Sequence, residues 1–194
     1  MTLRKQIYSA AEMDRAIDEM ASAIAAAFPI AEGNCALVGI HQFGVPLAER
    51  LHDAITKLAG CAPEFGKLVI SMYRDDIGNR NPLPMYRDDI GNRNPLPLIR
   101  ETEIDFDIND KTIILVDDVL SSGRTIRAAL DALTDYGRPK AIRLAVLVDR
   151  GEPEYPIRAD FVGFKLHLPA DRKVSVSFDD DNRSGGISEV DWKK

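Results

Sequence analysis

Two cysteines, one tryptophan and three histidines are all that 194 residues contain of those types, and each scarcity removes a class of protein. Cys35 and Cys61 cannot build a disulfide scaffold, and no metal framework surrounds them, so both read as reduced structural thiols. No apolar run approaches the ~20 residues that cross a bilayer, and the start MTLRKQ carries no secretory leader pattern. The expectation is a cytoplasmic protein with no membrane partner. Positive charge is the minority sign: 25 Lys and Arg face 31 Asp and Glu, and the net charge of −6 argues against wholesale nucleic-acid coating while allowing a local basic face. His52 and His167 have no partner at metal-ligand spacing and read as structural or surface groups. With 45% hydrophobic and 29% charged residues, what remains is the make-up of one globular domain over residues 1–194.

The most informative stretch is residues 112–133, TIILVDDVLSSGRTIRAALDAL. Its opening apolar, β-branched run reads as a strand buried on both faces, with Asp117 and Asp118 at its carboxyl end. The turn Ser121-Ser122-Gly123-Arg124-Thr125 then leads into Ile126, Ala129, Leu130 and Leu133, one apolar helix face. Small residues and a glycine let backbone N–H groups converge on a helix N-terminus, where a phosphate is favoured. Hydroxyls of Ser121, Ser122 and Thr125 add hydrogen bonds and Arg124 adds charge. Two adjacent carboxylates do not bind phosphate, but they accept hydrogen bonds from vicinal sugar hydroxyls or face a hydrated Mg²⁺. The ligand these residues call for is a phosphorylated ribose with a metal, and Asp117 and Asp118 are the candidate metal-facing groups.

Elsewhere the order strand, loop, helix recurs. Ser9 and Glu12 form a capping-box pattern before a helix at about Ala10–Ala27. Cys35–Ile40 reads as a strand, followed by the turn His41-Gln42-Phe43-Gly44 and a helix with Pro46 in its first turn. Further strands are expected at 65–72, 141–148, 161–168 and 174–178. Helices alternating with buried strands imply an α/β fold with a central, mostly parallel sheet flanked by helices. Ligands of such sheets lie beyond the carboxyl ends of the strands, where the loops at His41, Asp117 and Asp149 would meet. Between strands, residues 72–84 (MYRDDIGNRNPLP) recur letter for letter at 85–97. That is too short and too perfect for a solenoid. It reads as a recent duplication, an engineered insertion, or one flexible Asp/Gly/Asn/Pro loop written twice.

The run of hydrophobic residues, two acids, two more hydrophobic residues and S-S-G-R-T resembles the phosphoribosyl pyrophosphate signature of the type I phosphoribosyltransferases. In that family the two acids contact the ribose hydroxyls and the following turn wraps the 5′-phosphate, roles that pass to Asp117, Asp118 and Ser121, Ser122, Gly123, Arg124 and Thr125. The resemblance narrows on VGIHQFGVPLAERL from Val38, YRDD from Tyr73, YGRPKAIRLAVLVDRG from Tyr136 and PIRADFVG from Pro156. These look like the bacterial pyrimidine operon attenuation regulators that are also uracil phosphoribosyltransferases. The likeness implies the type I fold with a flexible flap loop and a small hood. It implies that His41, Gln42, Phe43 and Gly44 hold the pyrophosphate. The flap would be Tyr73, Arg74, Asp75 and Asp76, with their copies Tyr86, Arg87, Asp88 and Asp89; Arg74 or Arg87 would reach the pyrophosphate on closure. Asp149, Arg150 and Gly151 would line the base pocket, with Val162 near it. The implied reaction converts uracil and phosphoribosyl pyrophosphate, with Mg²⁺, to UMP and pyrophosphate. The implied partners include pyrimidine-operon leader RNA and further copies of the chain, as a homodimer or higher homo-oligomer.

Departures from the pattern matter. The family's pyrophosphate loop reads K-T-R-G, and here Phe43 replaces the arginine, which removes a donor to the leaving group and would weaken catalysis. After Gly163 the family's K-N-[IV]-P-T-S is replaced by FKLHLP. A second reading is a 6-oxopurine phosphoribosyltransferase, since DFVGF from Asp160 and DDDN from Asp179 resemble those enzymes too. Against it, Ser121 stands where they carry an aspartate. Asp149 stands where they carry a lysine, and a carboxylate accepts where O6 of a purine needs a donor. A third reading is an RNA-binding regulator with little activity, for which Arg138, Lys140 and Arg143, and Arg124 with Arg127, are the basic clusters.

Overall fold

Nine consecutive residues of apolar and acidic character, TIILVDDVL, form the middle of the molecule and decide where everything else goes. The computed structural model describes residues 4–70, 101–151, 153–169, 171–178 and 185–191. Within these the elements run β1 (Arg4–Ser9), α1 (Ala10–Ala27), a 3₁₀ turn (Ile30–Glu32), β2 (Cys35–Ile40), α2 (Gly44–Ala59), β3 (Glu64–Leu68), β4 (Thr112–Leu120), α3 (Arg124–Leu133), β5 (Ala141–Asp149), β6 (Phe161–Lys165), β7 (Arg172–Ser177) and β8 (Gly186–Asp191). Strands β3-β2-β4-β5-β6 lie in that order in one sheet, and β1-β8-β7 form a second, antiparallel sheet. All four pairings of the larger sheet are parallel.

Side-chain alternation along the parallel strands splits the core in two. Leu37, Ile114, Val116, Ala145 and Leu147 pack under α1 and α2, whose apolar faces bring Met13, Ile17, Met20, Ile24, Leu47, Leu51 and Ile55. Ala36, Val38, Ile113, Leu115, Leu144 and Val146 face the other way, against Ile126, Ala129 and Leu133 of α3. Both faces of the sheet are therefore covered, which is why its strands read as unbroken hydrophobic runs. Among the described residues no helix is long and apolar enough to cross a membrane.

The expected strand at residue 112 extends past the apolar run and takes in both acids, because β5 continues alongside: Asp117 pairs with Val146, Val119 with Val148 and Leu120 with Asp149. The alternation shifts there, with Val119 joining the α1/α2 side and Leu120 the α3 side. The strands expected at 65–72 and 161–168 end sooner, at Leu68 within the described residues and at Lys165. The first helix falls at Ala10–Ala27, with its capping box in place: Ser9 N donates to Glu12 Oε2 at 2.9 Å and Glu12 N to Ser9 Oγ at 3.3 Å.

Two strands had no clear sequence signal. β1 and β8 are short and half polar, and they become strands by pairing: β1 with β8, from Arg4 opposite Val190 to Ser9 opposite Gly186, and β8 also with β7. The small sheet they form with β7 is anchored by Ile187, fully buried against the main core, and by Tyr8 stacked on Phe164 at 4.0 Å between ring centroids. Phe164 belongs to β6, so the small sheet sits beside the last strand of the large one.

Candidate functional site

Parallel strands end together, and the loops that follow them share one rim. Leu120, Asp149 and Lys165 are level across β4, β5 and β6, so the turn after β4, residues 149–151 and the residues after β6 are neighbours on that rim. Residues 41–44 follow β2, which lies against the other edge of β4. The structure thus brings together three of the segments read from the sequence as site loops.

Asp117 is buried, and its Oδ1 accepts the backbone N–H of Asp118 at 3.0 Å. Burial pushes the Asp118 carboxyl above the usual carboxylate range, while hydrogen bonding with Asp117 and the Val119 N–H pulls it part of the way back. Holding two carboxylates this close in low dielectric costs stability unless a ligand supplies donors or positive charge. Among the described residues no group of three or more His, Cys, Asp or Glu is placed to hold a metal ion.

Helix α3 begins at Arg124, with Gly123 as its N-cap at φ +85° and no side chain capping it. The turn is braced from outside. Glu154 N donates to Ser122 O at 2.8 Å, and the Arg124 guanidinium donates to Glu154 Oε2 from Nε at 2.9 Å and Nη2 at 2.7 Å. The charge of Arg124, expected at the phosphate, is thus engaged by Glu154. Arg150, expected to line the base pocket, is buried, 8% exposed as a residue, and its backbone N–H donates to Leu120 O at 2.9 Å.

Helix α2 begins at Gly44, and Phe43, its N-cap, offers no side-chain hydrogen bond. Phe43 is 47% exposed, a bare aromatic ring on the loop. The peptide between His41 and Gln42 is cis, and His41 N donates to Leu68 O at 2.9 Å, tying the loop to β3. Gly44 is pressed onto β4: a Cβ there would run into the carbonyl oxygen of Val116 and come within 3.0 Å of the Asp117 Cα. Only glycine lets the start of α2 approach the acid pair this closely.

Residues 149–151 form a tight loop in which Gly151 N donates to Asp149 Oδ1 at 2.8 Å, with Gly151 at φ +70°. Val162 does not reach the rim; it pairs with Val146, below the level of Asp149, and packs in the α3-side core. Tyr73, Arg74, Asp75, Asp76, Tyr86, Arg87, Asp88 and Asp89 lie outside the described residues, as does the whole repeat. Of the basic clusters, Arg127 pairs with Asp131 at 3.3 Å and Arg143 with Asp160 at 3.5 Å. A cavity of about 400 Å³ lies at the opposite end of the strands, where β2, β4 and β5 begin, between Phe28, Asn34, Lys140 and Arg143 and away from the acid pair.

The structure matches a hypoxanthine-guanine phosphoribosyltransferase of Bacillus anthracis with a TM-score of 0.65 at 17% identity, over 96% of this chain and 97% of that one. It matches the hypoxanthine phosphoribosyltransferase of Trypanosoma cruzi with a TM-score of 0.66 at 17% identity, over 98% and 97%. At that identity the likeness establishes the fold alone. The sequence profile of the phosphoribosyl transferase domain matches residues 4–182. Among curated proteins, the Bifunctional protein PyrR of Roseiflexus sp. (strain RS-1) is 45% identical over 89% of this chain and 86% of its own length. That of Ligilactobacillus salivarius is 45% identical over 95% and 97%, and that of Thermus aquaticus 46% over 93% and 92%. The chain belongs to the bifunctional PyrR family. As a PyrR-family phosphoribosyltransferase it carries the acid pair and turn on β4 and α3, and the glycine of its first loop is fixed by contact with that same strand.

Two residues escaped the sequence reading. Glu154 braces the turn after β4 from the loop after β5, and nothing in its local pattern marks it. His167, read as a structural or surface histidine, lies against Gly151. Its signal was available only by assuming that consecutive strands of a parallel sheet are adjacent, which places the residues after β6 next to those after β5.

Proposed function

We propose that the chain transfers the phosphoribosyl group of phosphoribosyl pyrophosphate to uracil, giving UMP and pyrophosphate, and that the same pocket lets it sense UMP in regulating a pyrimidine operon through leader RNA. Membership of the bifunctional PyrR family supports both roles. The observation that carries the site assignment is the pair of helix N-termini without side-chain caps, α2 and α3, that open at the ends of adjacent strands on either side of Asp117 and Asp118. Each N-terminus offers N–H donors and a positive dipole end to an anion. One suits the 5′-phosphate, held by Ser121, Ser122, Gly123 and Thr125. The other suits the pyrophosphate, held by backbone groups at 41–44. A ribose spanning them presents its hydroxyls to the two carboxylates.

The reaction forms the bond from uracil N1 to C1 of the ribose and breaks the bond from C1 to the pyrophosphate oxygen, whose electron pair leaves with pyrophosphate; the N1 proton goes to the departing pyrophosphate or to solvent. Positive character on the ribose grows in the transition state, beside Asp117 and Asp118. Negative charge grows on the leaving group, at the N-terminus of α2. The donor set fits Mg²⁺: two carboxylates are too few for an all-protein cage, but Mg²⁺ usually keeps several waters and binds through one or two carboxylates and substrate oxygens. When bound it would neutralise charge on the pyrophosphate.

Pyrophosphate release measured with Mg²⁺, phosphoribosyl pyrophosphate and each of uracil, hypoxanthine, guanine and xanthine is expected with uracil. Release with purines alone would replace this reading by the 6-oxopurine one, and release with no base would remove the enzyme. Binding to a pyrimidine-operon leader in a gel shift, strengthened by UMP and weakened by salt, is the matching result for RNA. Phe43 puts an aromatic ring where the family pattern has an arginine. Phe43→Arg is therefore expected to raise kcat about tenfold, towards the ~10²-fold that a single well-placed donor supplies; an unchanged kcat would show that backbone donors suffice.

A further inference from the structure

Gly151 needs its φ of +70°, and it is crowded as well: a Cβ at that position would lie 2.9 Å from Nε2 of His167. The imidazole thus rests on the same residue whose N–H is taken by Asp149 Oδ1 at 2.8 Å. Leu166 N donates to Asp149 O at 2.9 Å, which fastens the segment carrying His167 to the loop after β5. His167 is exposed and stands two residues beyond Lys165, which is level with Asp149 and Leu120, so it rises above the rim on the side away from α2. The ribose carboxylates lie on β4; a base on C1 must extend over β5 or back over β2. The start of α2 occupies the β2 side, against Val116 and Asp117. The base therefore has room towards residues 149–151 and His167.

We propose that His167 is a specificity-determining residue of the acceptor pocket, donating a hydrogen bond from its imidazole to O4 of the pyrimidine while the Asp149 carboxylate accepts the ring N3–H. The proposal rests on the uracil reading above. Asp149 Oδ1 already accepts one N–H, but a carboxylate has about four acceptor positions, so a second donor can be served. A donor beside an acceptor matches the O4 and N3–H edge of uracil. It opposes the edge of cytosine, where an amino group and a bare ring nitrogen stand in those places. A site built to satisfy one pattern rejects the other because its own polar groups would be left unpaired. The histidine sits in FKLHLP, the segment that departs from the family pattern, so this contact belongs to this chain rather than to the resemblance.

The test is calorimetry of UMP and of ribose 5-phosphate on the whole chain with Mg²⁺, for wild type, His167→Ala, His167→Leu and His167→Gln, with KM for uracil and for phosphoribosyl pyrophosphate alongside. Because His167 is exposed, these variants keep the core intact. His167→Ala and His167→Leu should weaken UMP binding and raise KM for uracil about tenfold, leave ribose 5-phosphate and KM for phosphoribosyl pyrophosphate unchanged, and narrow the preference for uracil over cytosine. His167→Gln, which retains a donor, should recover part of the loss. Wild-type UMP affinity in His167→Leu would overturn the proposal, as would an equal loss of ribose 5-phosphate affinity, which would mean that the ring merely props up the loop. A wild-type chain that binds ribose 5-phosphate but neither binds UMP nor turns over uracil would remove the function and this proposal together. An active enzyme with an unaltered His167→Leu removes only the latter.

Discussion

Replacing Asp117 and Asp118 together by asparagine is expected to abolish measurable binding of Mg²⁺-phosphoribosyl pyrophosphate in calorimetry. Hydrogen bonds to charged groups contribute about 1.5–3 kcal/mol each, so losing two costs on the order of 10²-fold or more in affinity. Wild-type affinity in the double variant would mean that the donor lies elsewhere. The same substitution should move stability the other way. Burial holds the Asp118 carboxyl above its ordinary range, so between the unfolded and folded values the folded chain binds the extra proton. The cost of ionising Asp118 is therefore absent below the ordinary Asp value, sets in as pH rises through the raised one, and is fully present above it. Asp118→Asn removes a buried charge while its amide oxygen still accepts the Val119 N–H. Its thermal midpoint without ligand should exceed that of wild type at neutral pH, and the gap should close on acidification. Donor binding needs the ionised pair, so wild-type affinity should fall over the same acidic range. A midpoint below wild type at neutral pH would show that the two carboxylates are better compensated than their burial implies.

Gly44→Ala should be nearly as damaging, by an unrelated route. The added methyl meets backbone at Val116 and Asp117, in the middle of the sheet, where no side chain can swing away. Overpacking of this kind costs about 1–3 kcal/mol. To relieve it, the start of α2 and residues 41–44 must back off from β4, and a misplacement of about 1 Å at a reacting group costs on the order of 10²-fold in rate. Circular dichroism and steady-state kinetics on the purified variant separate the two effects: the expected result is a folded protein with a lowered thermal midpoint and a kcat/KM down by about that factor. Gly33→Ala is the control for a loss of stability without displacement of the rim: its φ of +68° strains an alanine there, but nothing stands within 4 Å of its Cβ position and it lies before β2, away from the rim. Kinetics of Gly44→Ala equal to those of the control would mean that the first loop does not need its contact with the acid pair.

The legible parts of the sequence were those in which local chemistry and local structure coincide. Ser9 and Glu12 mark the start of α1 because the capping box is complete within four residues. Thr112–Leu120 and Arg124–Leu133 announce a buried strand and an amphipathic helix; the acids stand near the carboxyl end of the strand, and the small residues Ser121, Ser122 and Gly123 form the turn that such a junction requires. The proposed donor half of the site is contained in that one strand–turn–helix unit, so periodicity and residue type were enough to nominate its residues. Arg124 was legible as a charge but not as a contact, since Glu154, thirty residues on, decides where the guanidinium goes. Strands β1 and β8 were not legible at all: among the described residues β1 pairs only with β8, across most of the chain's length, and β8 lies between β1 and β7.

Fold class, family signature and the position of the acid pair at the carboxyl end of a buried strand were determined by the sequence alone, because each depends on neighbours within one supersecondary unit. The closeness of Gly44 to Asp117, the capture of Arg124 by Glu154 and the placing of His167 on Gly151 were decided by tertiary structure. These are contacts between loops on different strands, and only the order and register of the sheet bring them to one rim.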